Sequence, residues 1–240
     1  MKKGIILLLI ILLLVLISIV LLGVFPKSDK MAAPRNGLLL VGEKQELEAV
    51  VQEHGNEIKK VYTYTVKEAK IKQDESEVGT LILNQTTAEE MVSLGLFREA
   101  RNTDDIAISD PLPAMPKMKE GKGTLSTISK FKDLTSVDIG GRTLPVHYET
   151  NSWLGYTRYT EHHRFIIIVD NETFEQLTTA RDNTMTIVRF KKDYGQLTDI
   201  EGNGTGAVKS NTDLLRLTKK MEEHVQYLWP VSFKESKEGK

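Results

Sequence analysis

Four groups of residues have the side chains to do chemistry. Glu161, His162 and His163 form the densest metal-like cluster, because imidazoles beside a carboxylate bind zinc. Adjacent residues on a strand point to opposite faces, however, so both rings do not readily join one site, and a solvated approach to a strand is the stronger reading. Ser152, His147 and Asp170 supply the residue types of a hydrolase triad, yet no serine sits in an elbow motif, and a triad is defined by geometry. Gly202, Gly204 and Gly206 lack the glycine spacing of a dinucleotide loop and are followed by no Gly-Lys-Ser/Thr, so they read as a surface loop. The fourth group is Trp153, Tyr156, Arg158, Tyr159 and His162. Trp, Tyr and Arg dominate interface energetics, and on an exposed loop these residues would bind a protein or peptide partner; otherwise their rings cover one end of the core. No group demands a metal or a cofactor.

These residues belong to a chain whose longest apolar stretch is IILLLIILLLVLISIVLLGVF, residues 5–25. A helix of that length spans about 31 Å, close to the thickness of about 30 Å of a hydrocarbon layer. The run is too long for the apolar core of a cleavable signal, and Met31, Ala32 and Ala33 make a poor cleavage site. The expected organisation is a basic N-terminus (1–4), a transmembrane signal-anchor (5–25), a stalk (26–36), one extracytoplasmic domain (37–233) and a disordered tail (234–240). With zero cysteines, thiolate chemistry, disulfides and a lipid-modified cysteine within this sequence are excluded. Lys+Arg 32 against Asp+Glu 33 leaves a formal charge of -1 with the signs interspersed, which argues against nucleic-acid binding.

The domain alternates short strands with helices. Residues 38–41 form an apolar run bounded by glycines, and residues 43–54 carry helical spacing. Alternation predicts a strand over 59–66. Residues 80–83 lead into a helix over 88–97, with a capping box of Thr86 and Glu89 or of Thr87 and Glu90. A strand over 106–109 precedes a loop enforced by Pro111, Pro113 and Pro116, and a short helix covers 124–132. Gly140-Gly141 predicts a hairpin between 135–139 and 142–148, with Pro145 at an edge. Residues 165–169 are a buried strand and 172–179 a helix with Phe174 and Leu177 inward. A strand over 184–190 gives way to a turn or helix from Lys191. A long helix is capped by Asn211 or Thr212 and ended by Trp229-Pro230. The fold class is therefore α+β: a mixed sheet with helices mainly on one face, preceded by one N-terminal transmembrane helix.

The segments TLILNQTTAEEMVSLGL, VDIGGRTLPVHYE, FIIIVDNETFEQL and MTIVRFKKD, within residues 78–193, resemble in order and apolar pattern the extracytoplasmic domain of FtsX/MacB-like ABC transporter permeases. The chain is also similar to small anchored exported proteins of Gram-positive bacteria. The resemblance implies a mixed α+β module that binds a protein or peptide and has no catalytic role. The single anchor departs from the permeases, which have at least four membrane helices. The expected function is a membrane-anchored binding or accessory module, not an enzyme, with its C-terminal body outside the cytoplasm, acting beside an ABC transporter or an envelope stress system. The alternative is an anchored hydrolase or metal-dependent enzyme using His147, His162 or His163.

Overall fold

The computed structural model describes residues 35–73, 75–100, 109–155, 163–194 and 205–234, with side chains in the last segment from 212 onward. The chain divides into two units, residues 1–33 and 34–240, and every described residue belongs to the second. The expected anchor and most of the stalk lie outside the described residues. Among the described residues no helix is long and apolar enough to cross a membrane.

Among the described residues twelve strands carry the body: β1 (Arg35–Gly42), β2 (Ile58–Gln73), β3 (Ser76–Asn84), β4 (Phe97–Ala100), β5 (Ser109–Pro111), β6 (Gly123–Ser126), β7 (Ser136–Ile139), β8 (Arg142–Thr150), β9 (Ser152–Leu154), β10 (Phe165–Val169), β11 (Arg181–Tyr194) and β12 (Tyr227–Val231). Nine form one mixed sheet in the order β12-β1-β11-β2-β3-β10-β6-β8-β7, and β5-β4-β9 form a second, smaller one. The pairs β3 with β10 and β6 with β8 are parallel. At its far end the large sheet curls until β7 comes back close to β2.

Strand alternation assigns the faces. Leu39, Ile187, Tyr64, Leu81 and Ile166 share one face and pack with Met91 and Val92 of α2 (Gln85–Ser93) and with Phe97 and Leu154 of the small sheet. On the other face, Leu38, Leu40 and Val188 meet α1 (Lys44–Glu53) and α4 (Thr205–Glu222) through Leu47, Val50, Leu214 and Met221. The register keeps Ile82 on this same face, since it pairs with Lys67, which shares the parity of Val61 opposite Val188. There Ile82, Ile167 and Val146 enclose a third core with Phe174 and Leu177 at α3 (Asn171–Gln176). Three of the four described helices thus cover one face, as alternation and helix order led one to expect.

Several boundaries differ from the sequence reading for identifiable reasons. The body starts at Arg35, because Arg35 and Asn36 already belong to β1. Asn84 caps α2, accepting from Thr87 N–H at 2.8 Å, in place of the Thr86 or Thr87 box, and the helix stops at Ser93 so that Phe97 can open β4. Residues 123–126 form a strand, followed by a 3-10 turn at Ser129–Phe131, where a helix was expected, because β10 and β8 flank that segment and satisfy its backbone. β11 continues through Lys191 to Tyr194. The last helix runs back to Thr205, through Asn211 and Thr212, and ends at Glu222; Trp229 and Pro230 lie in β12. Pro230 is tolerated there because β12 is an edge strand. The strand expected over 106–109 falls mostly outside the described residues, as does the tail after Lys234, whose own N–H still bonds the Leu94 carbonyl.

The cap assignment is testable. Asn84→Ala should lower the unfolding free energy by about 1 kcal/mol. Thr86→Ala should cost much less in chemical denaturation, and the reverse order would return the cap to Thr86.

Candidate functional site

β2 turns Tyr62, Tyr64 and Val66 toward the core shared with the small sheet, and the next inward position is Glu68. A carboxylate drawn into a sheet face must be satisfied by donors. Glu68 finds them on three other segments. Asn183 of β11 donates its side-chain amide to Oε2 at 2.8 Å, His163 places Nε2 2.9 Å from Oε1, and the Tyr227 hydroxyl of β12 donates to the same oxygen. His163 Nε2 also lies 2.6 Å from the Tyr227 hydroxyl, and Asn183 donates to Gln226 Oε1 at 3.0 Å. The His163 ring meets Tyr227 and Trp229 edge-on, and those two rings stack on each other with centroids 5.4 Å apart.

The site opens on one side. β11 begins at Arg181, opposite Glu68, so beyond that point β2 pairs on its other edge with β3. A groove of about 730 Å³ occupies this space, lined among others by Glu68, Lys70, Thr179, Arg181, Gln226 and Tyr227. The Glu68 side chain is 19% exposed and that of His163 only 3%. Burial works to raise the Glu68 carboxyl, but the hydrogen bonds from His163 and Asn183, with the charges of His163 and Arg181, outweigh it and hold the group below its ordinary value of 4.5. The groove wall therefore presents a fixed negative acceptor, with Lys70 paired to Glu77 at 3.2 Å and Arg181 to Glu43 at 3.3 Å on its rim.

The sequence-derived candidates fare differently. Trp153 is 5% exposed, in β9 opposite Arg98, so its ring belongs to the core and offers no face to a partner. Tyr156, Arg158, Tyr159 and His162 lie outside the described residues. The segment holding them is pinned at both ends, at Gly155, which donates to the Leu96 carbonyl at 2.9 Å, and at His163. The triad members do not meet. Asp170 caps α3 through Thr173, whose side-chain and backbone bonds hold its carboxyl low, and Ser152 is buried in the small sheet. His147 has its nearest carboxylate in Glu149, at 3.5 Å, and burial and Lys119 hold its ring below the usual imidazole value. Among the described residues no three acidic or histidine side chains gather as a metal-ligand set.

Glu68, Asn183, Gln226 and Tyr227 were missed by sequence reasoning. The signal lay in parity: an acid at the inward position after Tyr62, Tyr64 and Val66 breaks the alternation.

A family model described as an uncharacterised lipoprotein family matches residues 35–215. A crystal structure described as a "Putative Lipoprotein from Bacillus anthracis" is similar in fold, with TM-score 0.59 and 20% identity, covering 83% of this chain and 99% of that one. No curated protein matches. These findings support an exported, surface-anchored protein; the likeness to FtsX/MacB-like permeases finds no support in them.

The depressed Glu68 carboxyl fixes the sign of a pH effect. The folded protein keeps Glu68 ionised to lower pH than the unfolded chain does. Its contribution to stability is thus complete above the ordinary value of 4.5 and is lost as pH falls below it. Between about pH 5 and pH 3 the wild-type melting temperature should drop more steeply than that of Glu68→Gln. Parallel slopes would mean that the network does not hold the charge.

Proposed function

The chain belongs to this lipoprotein family, and from that membership we propose that it is a non-enzymatic binding module on the outer side of a membrane, receiving a protein or peptide at the groove beside Glu68. The observation that carries the reading is the groove itself. Its volume falls within the range of about 300 to 1,000 Å³ of small-ligand sites, and its polar wall is prearranged, so little ordering is needed on binding. Lipoproteins are held by lipid on a cysteine, and these 240 residues contain none. Within this sequence the element able to hold a bilayer is the apolar run 5–25, acting as an uncleaved single-pass anchor. Tyr156, Arg158, Tyr159 and His162 extend the partner surface in this proposal, because their segment ends at His163, which is bonded to Glu68. An association with an ABC transporter rests on the resemblance of residues 78–193 alone.

Two measurements test the parts. Protease added to intact cells should remove the body; a body that survives until lysis has the opposite orientation. For the groove, Arg181→Ala, Tyr156→Ala and Tyr159→Ala should reduce partner capture from membrane extracts with the melting temperature nearly unchanged. Several degrees lost in both tyrosine variants with capture intact would make those rings core.

A further inference from the structure

The chain comes into the folded body at Arg35, the first residue of β1, and β2 and β11 bring several cations to that end of the sheet. Arg189 of β11 lies directly opposite Lys60 of β2, and Gly37 of β1 pairs with Arg189 on its other side. Like charges directly opposite on antiparallel strands repel. Among the described residues neither cation has a carboxylate partner. Each instead lies over an aromatic ring, Lys60 Nζ 4.6 Å from the Tyr62 centroid and Arg189 Cζ 5.5 Å from that of Phe233. Those two rings stack at 5.6 Å, so both charges are held in place on one aromatic base.

More cations follow at the same end. Lys191 Nζ donates to the Asn56 carbonyl at 2.8 Å, Lys59 precedes Lys60 in β2, and Lys192 Nζ lies 4.8 Å from the Tyr194 ring. The acids nearby are Glu57, Asp193 and Asp213, and of these Asp213 is 3.7 Å from Lys192. A like-charge pair kept without a compensating carboxylate breaks a local rule of sheet design, which is what a surface awaiting an anionic partner requires.

We propose that this end of the body docks on an anionic lipid bilayer through Lys60, Arg189, Lys59, Lys191 and Lys192. The proposal rests on residues 5–25 as the membrane anchor. Residues 26–34 then tie Arg35 to the bilayer, and nine residues reach at most about 30 Å when extended. The headgroup field decays over about 8 Å at physiological salt, so the cations gain from it only where this end lies against the bilayer. A neutral surface would gain nothing from the pair.

The absence of cysteine from the sequence makes Asn56→Cys a single labelling site at this end. The full chain, labelled there, is reconstituted into phosphatidylcholine vesicles with and without phosphatidylglycerol, and energy transfer to a headgroup acceptor is measured. Transfer should rise with phosphatidylglycerol and fall again in high salt. The rise should be lost in Lys60→Gln with Arg189→Gln and kept in Lys70→Gln with Lys72→Gln, which removes equal charge from the other end of β2. Transfer indifferent to phosphatidylglycerol, or an equal loss in both double variants, overturns the proposal. Flotation separates it from the anchor. A chain that floats with anionic vesicles but not with pure phosphatidylcholine, and loses this in the Lys60/Arg189 variant, keeps the docking surface and removes the anchor. A chain that floats with neither removes both.

Discussion

Burial of the central strands on both faces is the constraint on which the rest of the body depends. Leu38 to Val41 of β1 are 0% exposed, and Phe165 to Val169 of β10 are at most 2% exposed. A strand apolar on both sides needs a layer above and a layer below. One layer is built from α1, α3 and α4, and the other from α2 and the small sheet. The same constraint brings the ends of the domain together, since β1 is flanked by β12, which lies some 190 positions later in the chain. Their approach is close: a Cβ on Gly37 would sit 2.4 Å from the Val188 carbonyl oxygen and 2.5 Å from the Phe233 ring. Only glycine lets the terminal strands close at that point.

Where local pattern and tertiary setting agree, the sequence can be read directly. The apolar runs at 38–41, 80–83 and 165–169 are strands, and Gly140 and Gly141, with φ of +60° and +87°, make the hairpin turn. Pro145 lies just outside the reach of β6, whose first partner is Val146, so its missing N–H interrupts nothing there. Where the two disagree, neighbours win. Leu125, Ile128 and Phe131 have helical spacing, yet the edge of β10 offers hydrogen bonds to 124–126, and Gly123 packs so closely on Ile167 that a Cβ would lie 2.8 Å from its methyl group. Trp229-Pro230 looked like a helix stop because proline breaks helices, but an edge strand accepts it equally well.

The candidate site was legible only in part, for a related reason. His163 stood out by residue type, but its partners Glu68 and Tyr227, and Asn183 that bonds Glu68, lie on strands far apart in sequence; β2 and β11 are neighbours in the sheet, and β12 lies beyond β1. Register cannot be read without the fold, so their convergence was hidden. Trp153 drew attention for the opposite reason: the type suits an interface, but opposite Arg98 in the small sheet the ring is enclosed.

β2 joins the two polar regions of the body and sets the distance between them. From Lys60 to Glu68 it runs eight residues without a break in register, about 26 Å at about 3.3 Å per residue. At the Lys60 end, Lys60 and Arg189 have no carboxylate partner among the described residues, whereas around Glu68 the rim charges Lys70 and Arg181 are matched by Glu77 and Glu43. The field of the basic end decays over about 8 Å in physiological salt, so at 26 Å it has little influence on Glu68. Electrostatics at the two ends can therefore be set independently, one end cationic and the other a short-range acceptor whose specificity comes from hydrogen-bond geometry. The strand between them keeps the groove and the basic end apart by that distance.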